Sequence, residues 1–191
     1  MSLELVSTIT SAGTFIVIAA TAIAAVVQLN HLRASNQLTG LLSVVGRSED
    51  PQLIEWSNSI KAHVARLSDP EFRRVLDDNT FDRNDAPWLH LYNWYDYVGS
   101  LAKQRLIPVD AVVDVFAFRV VRDWEVGEQL IAICRRKDGP GVWENFEYLV
   151  VESKEYIAKN PNGTYPKDKM RLPLVDEYLA VDTEAKRSRI S

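Results

Sequence analysis

The sequence contains one cysteine and three histidines in 191 residues, and these shortages exclude several kinds of site. Cys134 has no second thiol with which to form an internal disulfide, so the chain does not require an oxidising compartment. Because the three histidines are far apart in sequence and only one thiol is present, no zinc site is predicted. Cys134 lies in the apolar helical run LIAIC, which favours a buried and unreactive thiol.

Basic side chains are fewer than acidic ones, and the common catalytic motifs are missing. The 22 Lys and Arg residues are outnumbered by 26 Asp and Glu residues, and the formal net charge of −4 argues against binding to a nucleic-acid backbone. The patterns GxxxxGK[ST], GxGxxG, GxSxG and HExxH do not occur. The acidic loop at 77–85 lacks the glycine and glutamate that an EF-hand loop needs. We therefore predict no enzymatic activity, no cofactor and no metal ligand.

Charged side chains are absent from residues 5–32. The most apolar part, FIVIAATAIAAVVQL at 15–29, extends backwards through TITSAGT, so it exceeds the ~20 residues that cross a ~30 Å hydrocarbon layer. A cleaved signal peptide would need a basic amino end, and a buried helix would show a polar face. We therefore predict a membrane anchor over residues 1–33. Four residues are expected to lie within the membrane-spanning part: Phe15, Ala20, Ala24 and Leu29.

The residues around this span predict its orientation and leave its oligomeric state open. Arg33 and Arg47 follow the span, whereas no Lys or Arg precedes it. The positive-inside rule then places the carboxyl-terminal part in the cytoplasm, as for an anchor in the cytoplasmic membrane. Gly13, Ala20 and Ala24 put small residues near one face, as in helices that associate within membranes. A homo-oligomer is therefore an open possibility.

Strand signals are scarce in the rest of the chain, and helix signals recur. The predicted fold is all-α, with an N-terminal transmembrane helix followed by a small antiparallel helical bundle. The membrane helix is expected to continue through 28–45 and to end near Gly46. The predicted parts are the anchor at 1–33, a membrane-proximal helical stalk at 34–67, the bundle at 68–159, and a last segment at 160–191 with a loop, a short helix at 174–181 and a polar tail.

The most aromatic stretch, WLHLYNWYDYVGSL, occupies residues 88–101. On a helical wheel its apolar residues cover about 220°, roughly twice the stripe of an ordinary surface helix. Such a helix needs partners on two sides, so it is either central in the bundle or shared with another chain. Five residues of this stretch are therefore structural or interaction candidates: Trp88, Tyr92, Trp94, Tyr97 and Gly99.

Two further expectations concern this aromatic helix. His90 falls on its apolar face, which favours a hydrogen-bonded core histidine over a catalytic one. The aromatic stretch is core if Trp143 or Phe146 of the same chain lies over Trp94 and Leu101, on its second apolar side. If that side is bare, it is the surface for a partner.

The helix expected at 109–136 carries an acid on its apolar face. Asp123 falls between Val120 and Gly127, and Arg119, one turn earlier, is its expected partner, because an unpaired buried carboxylate is costly. Arg122 is expected to face outward. Asp123 is interpreted as part of a structural ion pair, and the alternative is a carboxylate placed for acid–base or metal chemistry.

Several residues near Asp123 and on the helix expected at 142–159 are further structural or interaction candidates. Two glutamates of that helix, Glu144 and Glu147, are available to pair with Arg135 or Arg136. The candidates are Trp124, Glu125, Arg135, Phe146 and Glu147.

The order of several short motifs resembles a known family. After the span come SDPEFRR, YxxWYDYVGSL, LIPVDxV, RDWE, IxxxRR and WxNFEYL. Over residues 68–156, together with the anchor, this order resembles the bacterial family of domain of unknown function 4760. The resemblance implies a small single-pass membrane protein with a helical cytoplasmic domain, and it brings no activity with it.

The sequence is compatible with three functions. The first is a membrane-tethered interaction or scaffold module with an unidentified protein partner. The second is an oligomeric membrane effector or sensor. The third is an enzyme that uses Asp123 with His90 or Glu125, which requires these groups to meet in one pocket that solvent can reach.

Overall fold

A computed structural model describes residues 3–179, 181–182 and 186. Within them the chain forms α-helices and two 3-10 turns and no β-strand, so the predicted all-α class is confirmed. Pro161 is the last residue of one compact unit, and Asn162 begins a second. The six helices of the first unit are α1 (Leu3–Ser48), α2 (Pro51–Ala65), α3 (Pro70–Asp77), α4 (Trp88–Lys103), α5 (Val109–Asp138) and α6 (Glu144–Lys159).

The first helix, α1, is continuous over 46 residues, and its predicted end near Gly46 is confirmed. Its side chains from 12 to 36 are exposed, apart from half-buried Ala19, and the helix is long and apolar enough to cross a membrane. Near its end α1 enters the helical bundle, where Val44 and Ser48 are buried. One unbroken helix therefore joins the apolar segment to the bundle.

In the helical bundle, α2–α6, both α4 and α5 contact several other helices. α6 packs along both α4 and α5, and α2 also contacts α4 and α5. Residues 51–65, which belong to the predicted stalk, therefore pack inside the bundle as α2. The largest fully buried side chains include Trp88, Tyr92, Tyr95 and Phe146.

Local sequence signals set where the helices begin and end. The carboxylates of Asp50 and Asp69 accept hydrogen bonds from Gln52 N and Glu71 N, both at 2.9 Å, so each caps a helix whose first residue is proline. The capping residue of α6 is different. Trp143 has φ 52°, in the left-handed region, and makes no side-chain cap, so α6 needs its cap from elsewhere.

That cap comes from α4. The Asp96 carboxylate accepts hydrogen bonds from the main-chain N–H groups of Asn145 and Phe146 at 2.9 and 3.1 Å, and from the Asn145 side chain at 3.2 Å. A carboxylate at a helix amino end satisfies unpaired donors and interacts favourably with the helix dipole. Asp96 thus fixes the start of α6 against α4.

The second unit is mostly irregular. Residues 171–176 have no regular structure, whereas Leu179 is helical. The predicted short helix at 174–181 therefore begins late, because the Asp176 side chain caps the amide of Tyr178 at 3.0 Å and sets the start there. The predicted polar tail at 185–191 lies outside the described residues except at position 186.

Candidate functional site

A buried polar centre surrounds Asp123, which is only 2% exposed. Its Oδ1 accepts from the Ser57 hydroxyl at 3.0 Å and from Arg122 Nε and Nη2 at 3.0 and 2.8 Å. Its Oδ2 accepts from the Tyr95 hydroxyl at 2.9 Å. The carboxylate therefore has both an opposite charge and hydrogen-bond donors, which is what burial of a charge requires.

Tyr92 joins this centre through the main chain. Its hydroxyl donates to the Asp123 carbonyl oxygen at 3.2 Å. Gly127 lies one turn later on α5, and a Cβ at that position would overlap the Tyr92 hydroxyl. A glycine is thus required where the tyrosine ring meets α5, although it lowers helix propensity.

The expected pairing of Asp123 with Arg119 is wrong. Arg122, expected to face outward, folds its guanidinium back over the neighbouring carboxylate while remaining 58% exposed. Arg119 instead donates to the Ser48 carbonyl oxygen at 3.2 Å, at the end of α1. Carbonyls in the last turn of a helix lack partners within the helix, so Arg119 connects α5 to α1.

The two buried tyrosines stay neutral at physiological pH. Burial raises the pKa of Tyr92 well above its ordinary value of 10, and the negative charge of Asp123 adds to the effect. Burial and Asp123 raise the pKa of Tyr95 in the same way. Both hydroxyls therefore act as hydrogen-bond donors, not as acids.

This shift predicts a loss of stability at alkaline pH. Above pH 10 the tyrosines of the unfolded chain lose their protons while Tyr92 and Tyr95 keep theirs, so the free energy of unfolding falls as pH rises. Each tyrosine is expected to contribute about 1.4 kcal/mol of this loss per pH unit. The measurement compares urea unfolding at pH 9 and 11 for the wild type and for Tyr92→Phe/Tyr95→Phe. An equal pH dependence in both proteins would contradict the prediction.

The aromatic side of α4 is covered by the same chain. Tyr95 stacks on Phe146 with ring centroids 4.7 Å apart, and Tyr92 lies 5.5 Å from Trp143 in an edge-on arrangement. Trp94 meets Phe116 of α5 at 6.1 Å. The contacts differ in detail from those expected, because Trp143 and Phe146 lie against Tyr92 and Tyr95, whereas Trp94 meets Phe116. Since side chains of the same chain cover these rings, the geometry favours core packing for Trp88, Tyr92 and Trp94. Tyr97 differs, because it is 61% exposed.

The expectation for His90 is wrong. His90 is exposed, and its ring lies 5.0 Å from that of Trp56. The core histidine is His63, which is 8% exposed and has its ring nitrogens 2.8 Å from the carbonyl oxygens of Ser59 and Asp85. The sequence contained a signal for His63, because it follows the apolar Ile60 by three residues and so falls on the same helix face.

Cys134 and His90, which are far apart in sequence, line one cavity of about 280 Å³. A catalytic thiol needs a lowered pKa. Here burial, together with the negative charges of Asp138 and Asp77, raises the pKa of Cys134 to about 11. The thiol is therefore protonated at neutral pH, in agreement with an unreactive cysteine.

Alkylation can test this assignment. In the folded protein Cys134 is expected to react with iodoacetamide about 100-fold more slowly at pH 8 than a thiol of ordinary pKa, because the fraction of thiolate falls tenfold per pKa unit. The rate should rise with pH up to about 11. The control is the same protein unfolded in urea. A fast reaction of the folded protein at pH 7 would show an activated thiol.

The three groups of the proposed enzyme do not meet. Asp123 is buried, His90 is exposed beside Trp56, and Glu125 pairs with Lys154 at 3.0 Å. Within the described residues, no three His, Cys, Asp or Glu side chains are grouped to hold a metal ion. Asp123, His90 and Glu125 therefore do not form the acid–base site that was the alternative interpretation of the sequence.

The remaining candidates hold α5 to α6. Arg135 pairs with Glu147 at 2.8 Å, which confirms one of the expected ion pairs, and its Nε donates to the Val142 carbonyl oxygen at 2.9 Å. The Arg135 guanidinium also lies 5.5 Å from the ring of Trp124. That ring meets Phe146 edge-on at 5.1 Å. Glu144, the other glutamate considered, pairs with Lys103 of α4 at 3.1 Å.

An apolar surface is exposed on the outer side of α5. Phe118 and Val115 are 74% and 58% exposed and lie three residues apart, on one helix face. Beside Phe118 a shallow groove of about 400 Å³ is lined by Val121 and Val126 of α5 and Ile157 of α6, together with the charged residues Arg122 and Glu125. We call the face formed by Val115, Phe118 and this groove the α5 face. Exposed apolar side chains that share one helix face make this face a candidate binding surface.

Comparison with known proteins identifies one family. The model of the family described as Domain of unknown function (DUF4760) matches residues 15–153. No curated protein and no solved structure matches the chain. The matched range begins in the apolar part of α1 and ends in α6, so it includes both the apolar helix and the bundle.

Proposed function

The chain belongs to the DUF4760 family, and from this premise we propose that it is a single-pass membrane protein whose helical bundle is a protein-interaction module. The observation that carries the proposal is the continuity of α1. Its exposed apolar segment, 12–32, leads without a break into the buried contacts of Val44 and Ser48. In water such a segment would leave a large apolar area exposed, whereas a bilayer would cover it.

The α5 face is the proposed contact surface for the partner. The aromatic residues that suggested a site, such as Trp88 and Tyr92, are 0% exposed and cannot touch another protein. Phe118 is the most exposed aromatic side chain of α5, and it lines a groove that also contains apolar residues and the charged Arg122 and Glu125. Exposed aromatic side chains are frequent among the residues that contribute most to binding in protein interfaces.

Photo-crosslinking in native membranes tests this proposal. A photoreactive amino acid replaces Phe118 in the full chain, and the matched control replaces Ala132, which is exposed on the same helix outside the α5 face. A protein captured at 118 and not at 132 would support the module. The proposal fails if neither position 118 nor position 115 gives a crosslink to a protein that the control at position 132 does not capture. Extraction of the chain by alkaline carbonate would contradict the membrane span.

The alternative function is an oligomeric membrane effector or sensor. It is favoured by the bare small-residue face of α1, where nothing lies within 4 Å of a Cβ placed on Gly13. Small residues let membrane helices approach closely. Cysteine placed at Ala20 or Ala24 in a Cys134→Ala background would form disulfide-linked dimers in membranes if the spans associate. If only monomer is found at both positions, this alternative is wrong.

The proposed orientation places the bundle in the cytoplasm, because Arg33 and Arg47 follow the apolar segment. Reporter fusions at the carboxyl end of the full chain test it. A reporter active only in the cytoplasm should give signal, and one active only outside the inner membrane should not. The reverse result would overturn the orientation and leave the span intact.

A further inference from the structure

A groove of about 800 Å³ lies where α1 meets the turn between α4 and α5. Arg33 of α1 and Arg105 of the turn both line it, with Asn36 and other amide side chains between apolar residues. Among its lining residues, all of which belong to the described part of the chain, none is acidic. The lining of the groove therefore carries two positive charges, no negative charge and an apolar side.

Arg105 occupies a position that usually belongs to glycine. The chain leaves α4 with the two hydrogen bonds of a Schellman motif, Leu106 N to Leu101 O and Arg105 N to Ala102 O, both at 2.9 Å. Arg105 sits at the left-handed position of this motif with φ 59°. A non-glycine residue there costs roughly 1–2 kcal/mol. An arginine in place of glycine puts a cation at a fixed point of the turn, and strained positions of this kind are often functional.

The turn is held against α1, so the two arginines share one surface. The Gln37 side chain donates to the Arg105 carbonyl oxygen at 3.1 Å. A Cβ on Gly40 would lie 2.9 Å from Ile107, which is buried, so the helix and the turn are in close contact. The groove is therefore built by fixed backbone and is not formed by a loose loop.

The position of the groove along α1 matches the edge of a bilayer. Residues 12–32 carry no charged side chain and at 1.5 Å per residue are long enough to cross ~30 Å of hydrocarbon, so Arg33 marks the level where the headgroups begin. On the membrane side of Arg33 the groove is lined by Leu29 and Leu32, which are 65% and 60% exposed. The cationic and apolar parts thus follow the order of a lipid headgroup and its chains.

We propose that this groove binds an anionic phospholipid, with Arg33 and Arg105 contacting the headgroup phosphate and Leu29 and Leu32 contacting the acyl chains. This inference rests on the proposed membrane span. Arginine suits the role because its planar fork of N–H donors matches two phosphate oxygens. A free phosphate would use only the cationic part and leave the apolar part without a role, which is why the lipid is the proposed occupant.

The test measures lipid binding to the full chain purified in a neutral detergent. Native mass spectrometry follows titration with phosphatidylglycerol or phosphatidylcholine of identical acyl chains, and a third arm adds soluble glycerol 3-phosphate as a competitor. The variants are Arg105→Gln and Arg33→Gln/Arg105→Gln. The matched control, Lys61→Gln/Arg136→Gln, removes two exposed cations that do not line the groove.

The wild type and the control are expected to bind phosphatidylglycerol at least about tenfold more tightly than phosphatidylcholine, since each cation near an anionic headgroup strengthens binding. The double variant should lose this preference, and Arg105→Gln should lose part of it. Equal binding of the two lipids, or an unchanged preference in both variants, would overturn the proposal. Displacement of the lipid by equimolar glycerol 3-phosphate would instead indicate a site for a free anion, and so would also overturn it.

Carbonate extraction of cell membranes separates this inference from the function on which it rests. If the chain stays in the membrane pellet but shows no headgroup preference, only the lipid site fails. If the chain is extracted, the span fails and the lipid site fails with it.

Discussion

Gly99→Ala is expected to lower the free energy of unfolding of the bundle by about 3 kcal/mol or more, the upper range for overpacking a core. A Cβ at position 99 would overlap the carbonyl oxygen of Asn145, which is main chain at the start of α6. Backbone cannot change rotamer, so α6 must move away from α4. This is the reason for expecting a larger effect than at a site bordered by flexible side chains.

Movement of α6 would damage other contacts at the same place. Asp96 would lose its hydrogen bonds to the amides of Asn145 and Phe146, which form the cap of α6. The stacked pair of Tyr95 and Phe146 would separate as well. Gly99 thus lies between a helix cap and the aromatic core, and one added methyl group disturbs both.

Gly46→Ala is the matched control for this experiment. Gly46 is also inside a helix, but nothing lies within 4 Å of a Cβ at that position. Alanine there should be neutral or stabilise the protein by up to about 1 kcal/mol, through helix propensity. Urea unfolding of the full chain in detergent, followed by tryptophan fluorescence, measures both variants. Similar stabilities of the two alanine variants would contradict the close approach of α4 and α6.

Asp123→Ala is expected to destabilise the bundle by about 1–3 kcal/mol, because it leaves a buried hydrogen-bond donor without an acceptor. The Tyr95 hydroxyl would lose its acceptor at 2.9 Å in the core, where its side chain is 0% exposed. The Ser57 hydroxyl and the Arg122 guanidinium would also lose Asp123 Oδ1 as their acceptor. Asp123→Asn keeps the shape and part of the hydrogen bonding, so its effect should be smaller.

Glu125→Ala provides the control for charge removal on the same helix. Glu125 pairs with Lys154, but both side chains are more than half exposed, at 57% and 51%. Exposed ion pairs contribute at most about 1 kcal/mol, so this variant should unfold close to the wild type. If Asp123→Ala were as stable as Glu125→Ala, the structural interpretation of Asp123 would be wrong, and a functional role would regain support.

The sequence predicted those features that depend on one helix at a time. The uncharged stretch from residue 5 to 32 predicted a long apolar helix, and α1 continues to Ser48 as expected. The wide apolar arc of the aromatic helix predicted packing on two sides, and α4 contacts α2, α5 and α6. Burial of Asp123 also followed from its place on the apolar face of α5.

Features that depend on how helices meet could not be predicted in this way. A helical wheel places Arg119 under Asp123, but the partner is Arg122, whose long side chain folds back from the exposed edge. His90 sits on the predicted apolar arc, yet it is exposed where α4 approaches α2 beside Trp56. Wheel angles describe side-chain directions on one helix and contain nothing about which directions a neighbour covers.

The sequence by itself determined the helical class, the apolar segment of α1 and the family to which the chain belongs, because periodicity, charge and motif order are properties of consecutive residues. Only the tertiary structure decided that the aromatic cluster is core, through Trp143 and Phe146 of the same chain. It also brought Arg33 and Arg105 to one groove although they are far apart in sequence. Contacts between distant residues depend on the relative placement of whole helices, which is set by packing and not by local pattern.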